Sequence, residues 1–379
     1  MSVRLLGAIL ALILFPASGT RAESAHSLLA PPLTARHEAG LYVHHAAAPE
    51  QWEEGGPRSV QVMVWYPAEA DGRILSHRET IGFDAAARSA DDGTPAARAE
   101  RVAGIVQHAI DRGADAGRLE AFLDAPTRTR LDATPAAGPF PVIVYAASVS
   151  SHPYENTVLL ETLARQGFVV IATPSVGMGT RAQASGRAGI ENQLADIRLS
   201  LRVAETLAFA DTSRLGVVGY SRGGAVGTLL TMQEPRVRVF VSLDGSEGRD
   251  MLIGAVREST GFDLARFDRP HLHIFSEPAE NFPETREIVD AAPSPDRHVV
   301  RLPQLGHGEL GSTFIMLNGF ARGEDARRPV AQTAPAYQAM TLLVLDMMDA
   351  YLLRNGPARA RIANDRLRTA IPGSEIVWE

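Results

Sequence analysis

Short apolar runs alternate with amphipathic segments along most of this chain. Runs of four to seven residues rich in Val, Ile and Phe predict β-strands at 60–66, 141–145, 168–172, 215–218, 237–243, 271–275 and 298–302. Apolar residues at a helical period predict helices at 96–110, 119–123, 154–165, 190–208, 225–232 and 336–353. Because strands alternate with helices from residue 139 onward, we expect a mostly parallel, doubly wound α/β sheet with helices on both faces. No repeat or linker divides 139–355, so residues 23–379 are expected to form a single domain.

Two stretches outside this alternation have a different texture. Residues 23–58 are rich in Ala, Pro, Gly and His without a clear period, and we expect an irregular lead-in there. Residues 74–138 are rich in Ala, Arg and Asp and contain two of the helical patterns. We expect a helical insertion, which either folds over the mouth of the sheet as a lid or forms an external layer.

The first 22 residues have the pattern of a signal peptide. Arg4 is followed by an apolar run at 5–15 and by small residues at 16–22. The apolar run is short for a bilayer span, which favours a cleaved leader over an uncleaved anchor. We therefore expect cleavage after Ala22, export to the periplasm or the medium, and no stable membrane insertion afterwards.

Composition excludes several kinds of chemistry. The chain has 379 residues and no cysteine, which excludes disulfides, thiol nucleophiles and cysteine metal sites. The formal net charge of −7 argues against nucleic acid as a partner. No H-E-x-x-H motif is present, and the pairs His44/His45 and His271/His273 lack supporting carboxylates. We therefore expect no metal and no cofactor.

A G-x-S-x-G pentapeptide at 219–223 is the strongest chemical signal. It lies between the predicted strand 215–218 and the helical pattern that begins at Ala225, as a nucleophile elbow requires. The small residues let strand and helix approach closely, so the turn presents the Ser221 hydroxyl at the N-terminus of a helix. Ser221 is therefore the candidate nucleophile.

A serine nucleophile needs a histidine base, which in the α/β-hydrolase arrangement follows it in the chain. Four histidines follow Ser221. His271 and His273 lie inside a predicted strand and His298 begins one, so we expect structural roles for these three. His307 lies in the loop directly after the last predicted strand, where it can reach back to the elbow, and is the candidate base.

The acid and the oxyanion donors are less sharply indicated by the residues. Asp244 and Glu277 end the two strands that follow the elbow helix, and either carboxylate can reach a histidine loop. One oxyanion amide is expected from Arg222, the residue after the nucleophile, and the other from the loop at 146–151. The Arg222 side chain could bind a substrate carboxylate or phosphate, or it could form a structural salt bridge.

Together these motifs resemble the platelet-activating-factor acetylhydrolases and the related dienelactone-hydrolase-like esterases. Asp244 follows Ser221 by 23 positions within a Leu-Asp-Gly strand end, as in that family, and a Ser-Glu pair at 276–277 ends the next strand. The resemblance, which covers roughly 58–70 and 139–320, implies an α/β-hydrolase fold, Asp244 as the acid and Val149 as the second oxyanion donor. The chain departs from the family at 146–148, which reads Ala-Ala-Ser instead of Ser-His-Gly.

We therefore expect an exported serine hydrolase that cleaves small-molecule carboxylic esters through an acyl-enzyme. Two alternatives stay open at this point. The same triad could serve a peptidase or an acyltransferase, because pocket shape and water access decide what releases the acyl group. The altered loop at 146–148 could also belong to a non-catalytic binding protein that uses a hydrolase pocket.

Overall fold

A computed structural model of the chain describes residues 20–51, 56–87, 93–111, 113–176, 184–279, 283–318, 328–363 and 371–379. Within these ranges eleven strands form one sheet, in the order β11-β10-β9-β8-β7-β5-β6-β2-β1-β4-β3. The strands are β1 (Glu38–Gln51), β2 (Pro57–Ala68), β3 (Arg73–Ser76), β4 (Pro126–Leu131), β5 (Phe140–Ala146), β6 (Val169–Thr173), β7 (Ala210–Tyr220), β8 (Val237–Leu243), β9 (His271–Phe275), β10 (Arg297–Arg301) and β11 (Val377–Trp378).

Helices cover both faces of this sheet. They are α1 (Thr20–Leu29), α2 (His77–Gly82), α3 (Pro95–Asp111), α4 (Ala116–Asp124), α5 (Thr157–Arg165), α6 (Gly186–Ala204), α7 (Arg222–Gln233), α8 (Asp250–Glu258), α9 (Glu287–Ala291), α10 (Ser312–Asn318), α11 (Val330–Leu352) and α12 (Gly356–Ala363). α1, α5, α11 and α12 pack into one apolar core, and α6 to α9 pack into the other.

The strands supply both cores because successive side chains of a strand point to opposite faces. In β5, Ile143 and Tyr145 belong to the first core, whereas Val142 and Val144 belong to the second. Strands buried on both faces read as continuous apolar runs, which is why the sequence indicated them clearly.

The central strands from β6 to β10 are parallel, and β1, β2, β3 and β11 add antiparallel pairs at the margins. β5 lies between β6 and β7, so the chain order changes direction there. The loops that follow β5 and β7 consequently meet at one edge of the sheet, where open α/β sheets bind their ligands.

All seven predicted strands correspond to observed strands, in β2 and β5 to β10. The expectation of an irregular lead-in at 23–58 was wrong, because this stretch contains most of α1 and the long strand β1. Its Gly40 faces the ring of Tyr66, where a Cβ would overlap the aromatic carbons. Small residues selected for such close packing hide the alternation that usually marks a strand.

The segment 74–138 contains strands as well as the expected helices. Besides α2, α3 and α4 it includes most of β3 and all of β4, which form the far edge of the sheet. It packs against β1 and β2, where Gln61 donates a hydrogen bond to the carbonyl of Phe83 (3.0 Å). The apolar run predicted as the core of a signal peptide lies outside the described residues.

Candidate active site

Ser221 lies at the turn between β7 and α7 in a strained backbone conformation, with φ 54° and ψ −119°. The neighbouring glycines make the turn sterically feasible. A Cβ on Gly219 would overlap the carbonyl of Gly223, and one on Gly223 would overlap the carbonyl of Ala146. The Ser221 amide donates to the carbonyl of Leu243 (3.0 Å), which ties the turn to the end of β8. The strain is therefore held by the surrounding backbone, as is common at functional sites.

His307 connects Ser221 to a buried carboxylate. Its Nε2 lies 3.1 Å from Ser221 Oγ, and its Nδ1 lies 2.6 Å from Asp244 Oδ2. The carboxylate is fully buried, whereas 36% of the His307 side chain is exposed. The Tyr220 hydroxyl donates to the His307 carbonyl (2.8 Å) and holds the histidine turn against the elbow. The structure thus brings together the three residues predicted as nucleophile, acid and base.

Asp244 is positioned by donors that surround both of its carboxylate oxygens. The Ser276 hydroxyl donates to Oδ2 (2.7 Å), and the buried guanidinium of Arg249 donates to Oδ1. Burial by itself raises the pKa of Asp244, but the hydrogen bond with His307 and the charge of Arg249 outweigh it and hold that pKa below its usual value. Asp244 is therefore ionised when it faces the imidazole.

Glu277, the alternative acid, faces elsewhere. Its carboxylate pairs with Arg328, and its backbone amide donates to the carbonyl of Leu305 (2.8 Å). The two candidates thus differ in what they contact: Asp244 contacts the imidazole of His307, and Glu277 contacts a partly exposed arginine.

Among the described residues, the three histidines expected to be structural make no hydrogen bond with Ser221. His271 and His273 are buried in β9, where His271 Nδ1 lies 3.0 Å from the carbonyl of Arg269 and His273 Nδ1 lies 3.2 Å from Glu247. Burial lowers the pKa of His271 to about 2, so its imidazole is neutral. His298 lies in β10.

Glu155 fixes the loop after β5, which contains the Ala-Ala-Ser departure. Its carboxylate accepts hydrogen bonds from the amide of Ser148 (2.9 Å), from the hydroxyl of Ser148 and from the hydroxyl of Tyr145 (2.9 Å). Burial raises the pKa of Glu155, and this effect outweighs the hydrogen bonds from Ser148, Ser151 and Tyr145, which lower the pKa. The buried carboxylate of Glu155 thus fixes the position of this loop through its hydrogen bonds with Ser148.

The two expected oxyanion donors lie beside Ser221. Arg222 is the first residue of α7, and Val149 lies in the loop after β5 with 46% of its surface exposed. Within the ranges that the structure describes, neither amide donates to a protein acceptor. Both remain available to a ligand, and the Arg222 amide also lies at the positive end of the α7 dipole.

Two cavities flank Ser221 and His307. The larger, of about 570 Å³, is lined by charged side chains that include Arg222, Arg249 and Arg328, and also by apolar residues such as Leu252 and Phe314. The smaller, of about 390 Å³, has a mainly apolar surface, although Ser148, Ser151 and Glu155 also line it. Among the described lining residues of both cavities, none comes from 74–138.

Sequence reasoning missed Arg249, Ser276 and Glu155 as parts of this site. Ser276 directly precedes Glu277 at the end of β9, and that position was the available signal for it. Arg249 and Glu155 had no local signal, because their roles depend on contacts that only the folded chain creates. Within the described parts of the chain, no group of three His, Asp or Glu side chains could hold a metal ion.

The parallel central sheet, the helices on both faces and the nucleophile elbow define an α/β-hydrolase fold. The chain is similar to the solved structure of a ferulic acid esterase from Streptomyces cinnamoneus, with 17% sequence identity and a TM-score of 0.65 over 93% of this chain and 98% of that one. No protein-family model and no curated protein sequence matches the chain. Among the described residues, no helix has the length and apolar character needed to cross a bilayer.

Proposed function

We propose that this protein is a serine hydrolase that cleaves carboxylic esters of small molecules. The observation that carries the proposal is the continuous line of hydrogen-bonding contacts from Asp244 through His307 to Ser221. An acid that orients a histidine base, which in turn contacts the nucleophile, is the arrangement that activates a serine hydroxyl. The esterase activity of the structural neighbour supports the same reaction class.

In the proposed mechanism, His307 Nδ1–H donates to ionised Asp244, which leaves Nε2 free to accept the Ser221 proton. Ser221 Oγ attacks the acyl carbon, and the amides of Arg222 and Val149 stabilise the oxyanion that forms. His307 then gives the proton to the leaving alcohol oxygen as the ester bond breaks. A water molecule, deprotonated in turn by His307, attacks the acyl carbon, and His307 returns that proton to Ser221 Oγ as the acyl–oxygen bond breaks.

The finer assignment is also a proposal. The 23-residue spacing from Ser221 to Asp244 supports a relation to platelet-activating-factor acetylhydrolases and dienelactone-hydrolase-like esterases. We further propose that residues 23–379 form one exported domain after cleavage behind Ala22. Such cleavage would retain the part of α1 that is buried, since Ala25 and His26 pack inside the protein.

The direct test is hydrolysis of p-nitrophenyl butyrate by the Ser221→Ala variant. We expect its kcat to fall by about 10⁶-fold, because no other group replaces the attacking oxygen and only the residual effect of the oxyanion donors and substrate binding remains. Ser213→Ala, at the exposed far end of the same strand β7, is the matched control and should keep wild-type turnover. Undiminished hydrolysis by Ser221→Ala would refute the proposal.

A fluorophosphonate probe separates a hydrolase from a binding protein with the same pocket. The probe reacts only with an activated serine, so we expect labelling of the wild type at Ser221 and none of Ser221→Ala or His307→Ala. If the folded wild type stays unlabelled, the non-catalytic binding protein becomes the better explanation.

A further inference from the structure

The two cavities beside Ser221 differ in chemical character. Both reach Ser221, His307 and Val149, so a bound ester can extend from the reacting atoms into each of them. Among the described lining residues, Tyr154, Tyr220 and Leu317 belong to the smaller cavity, three arginines belong to the larger, and Phe314 lines both. An ester that fills both therefore meets arginine side chains on one side and a mainly apolar surface on the other.

Two of the three arginines in the larger cavity are already neutralised. Arg249 donates to Asp244 and also lies 3.7 Å from Glu284. Arg328 pairs with Glu277 and lies 3.4 Å from Glu309. A carboxylate held near each guanidinium satisfies most of its charge, so neither arginine needs an anion from a substrate.

Arg222 differs from both. Only 8% of its surface is exposed, and its Nη1 donates to the carbonyl of Ala184 (2.7 Å). Within the described ranges no carboxylate lies within salt-bridge distance of its guanidinium. The structural salt bridge that the sequence left open for Arg222 is therefore excluded within those ranges. The other two guanidinium nitrogens of Arg222 are not fully buried. They are accessible to solvent at the larger cavity, which Arg222 lines.

The fold makes room for this guanidinium. A Cβ on Gly189, in the first turn of α6, would overlap both Arg222 Nη1 and the carbonyl of Ala184. Burial without a counter-charge lowers the pKa of Arg222. A nearly buried cation that has only a neutral acceptor gains more from an arriving anion than an exposed one does, because little water competes for it.

We propose that Arg222 binds a carboxylate of the substrate, so that the preferred esters carry a carboxylate on one side of the scissile bond and an apolar group on the other. The proposal rests on the ester hydrolysis proposed above and names the substrate class for that site. A guanidinium matches a carboxylate geometrically, because two parallel N–H donors can face its two oxygens. Arg222 is thus a specificity residue through its side chain, in addition to the role proposed for its amide.

The experiment compares two pairs of esters, each matched except for a carboxylate. p-Nitrophenyl hemisuccinate against p-nitrophenyl butyrate places the carboxylate on the acyl side, and 4-acetoxybenzoate against 4-acetoxybenzamide places it on the alcohol side. The readout is the ratio of kcat/KM for the charged ester to that for the neutral one. Effects of a substitution on folding or on the oxyanion amides act on both esters and cancel in this ratio.

We expect one of the two pairs to show a ratio well above one in the wild type. Arg222→Gln should lower that ratio by about 10- to 100-fold, the range for loss of a hydrogen bond to a charged group. Arg222→Lys should retain part of it, because the charge remains and the paired donors are lost. Arg187→Gln, which removes one exposed positive charge from α6, should leave the ratio unchanged.

A wild-type ratio near one for both pairs would overturn the proposal, as would an equal loss of kcat/KM on the charged and neutral esters in Arg222→Gln. Either result is compatible with ester hydrolysis, which is judged separately from turnover of the neutral butyrate ester and its loss in Ser221→Ala. The pair that responds identifies the side of the ester bond that carries the carboxylate.

Discussion

Replacing Asp244 by Asn tests the site most sharply, because the two side chains have the same size and differ in one charge. Both carboxylate oxygens face donors, namely His307, Ser276 and Arg249. An Asn amide has one oxygen and one NH2 group, so its NH2 must face a donor. If the oxygen keeps Arg249, the NH2 faces His307 Nδ1 and selects the tautomer that carries its proton on Nε2.

That tautomer cannot accept the Ser221 proton, so the loss should be large. The same reversal in Ser-His-Asp enzymes lowers kcat by about 10⁴-fold, or about 5.4 kcal/mol in activation free energy at 25 °C. The variant should also be less stable, because it removes the carboxylate charge beside the guanidinium of Arg249, which is 1% exposed. Breaking a buried pair costs about 3–5 kcal/mol in the free energy of unfolding.

The assay is steady-state hydrolysis of p-nitrophenyl butyrate at a temperature where circular dichroism shows that the variant is folded. Glu277→Gln is the matched control, because it removes a carboxylate from the neighbouring strand end. Its ion pair with Arg328 is partly exposed, and such pairs contribute about 0–1 kcal/mol. A greater loss of kcat in Glu277→Gln than in Asp244→Asn would refute the reasoning and reassign the acid.

Two further predictions concern buried titratable groups. Glu155→Gln should lower kcat by up to about 10²-fold, because its NH2 would oppose the donors of Ser148 and loosen the loop that carries the Val149 amide; unchanged single-turnover acylation would contradict this. Burial lowers the pKa of His77 from 6.5 to about 3, so below pH 6.5 the unfolded chain binds a proton that the folded protein does not, and stability falls with falling pH. The measurement is the free energy of unfolding from urea titrations at pH 7 and at pH 5. Between these pH values His77→Leu should lose about 2 kcal/mol less of this free energy than the wild type does. Equal losses would exclude His77 as a source of acid instability.

The strands and helices of the central sheet were predictable because their pattern is local. An apolar run buried on both faces has few alternatives to a parallel strand, and β5 to β10 were all found where the runs lie. β1, β3, β4 and β11 escaped prediction. Gly40 in β1 is selected by contact with Tyr66, more than 20 residues away, and such a contact leaves no periodic trace in the sequence.

The sequence by itself determined the elbow, because the steric demands of that turn act on residues only two positions from Ser221. It also limited the candidate base to the loop after the last predicted strand, where His307 lies. Only the tertiary structure decided that Asp244 and not Glu277 contacts His307, and that Arg222 lies beside the carbonyl of Ala184 without a carboxylate in the described residues. The Arg328–Glu277 pair and the contact of Arg222 with Ala184 join residues 51 and 38 positions apart in the chain, so residue order alone does not contain that information.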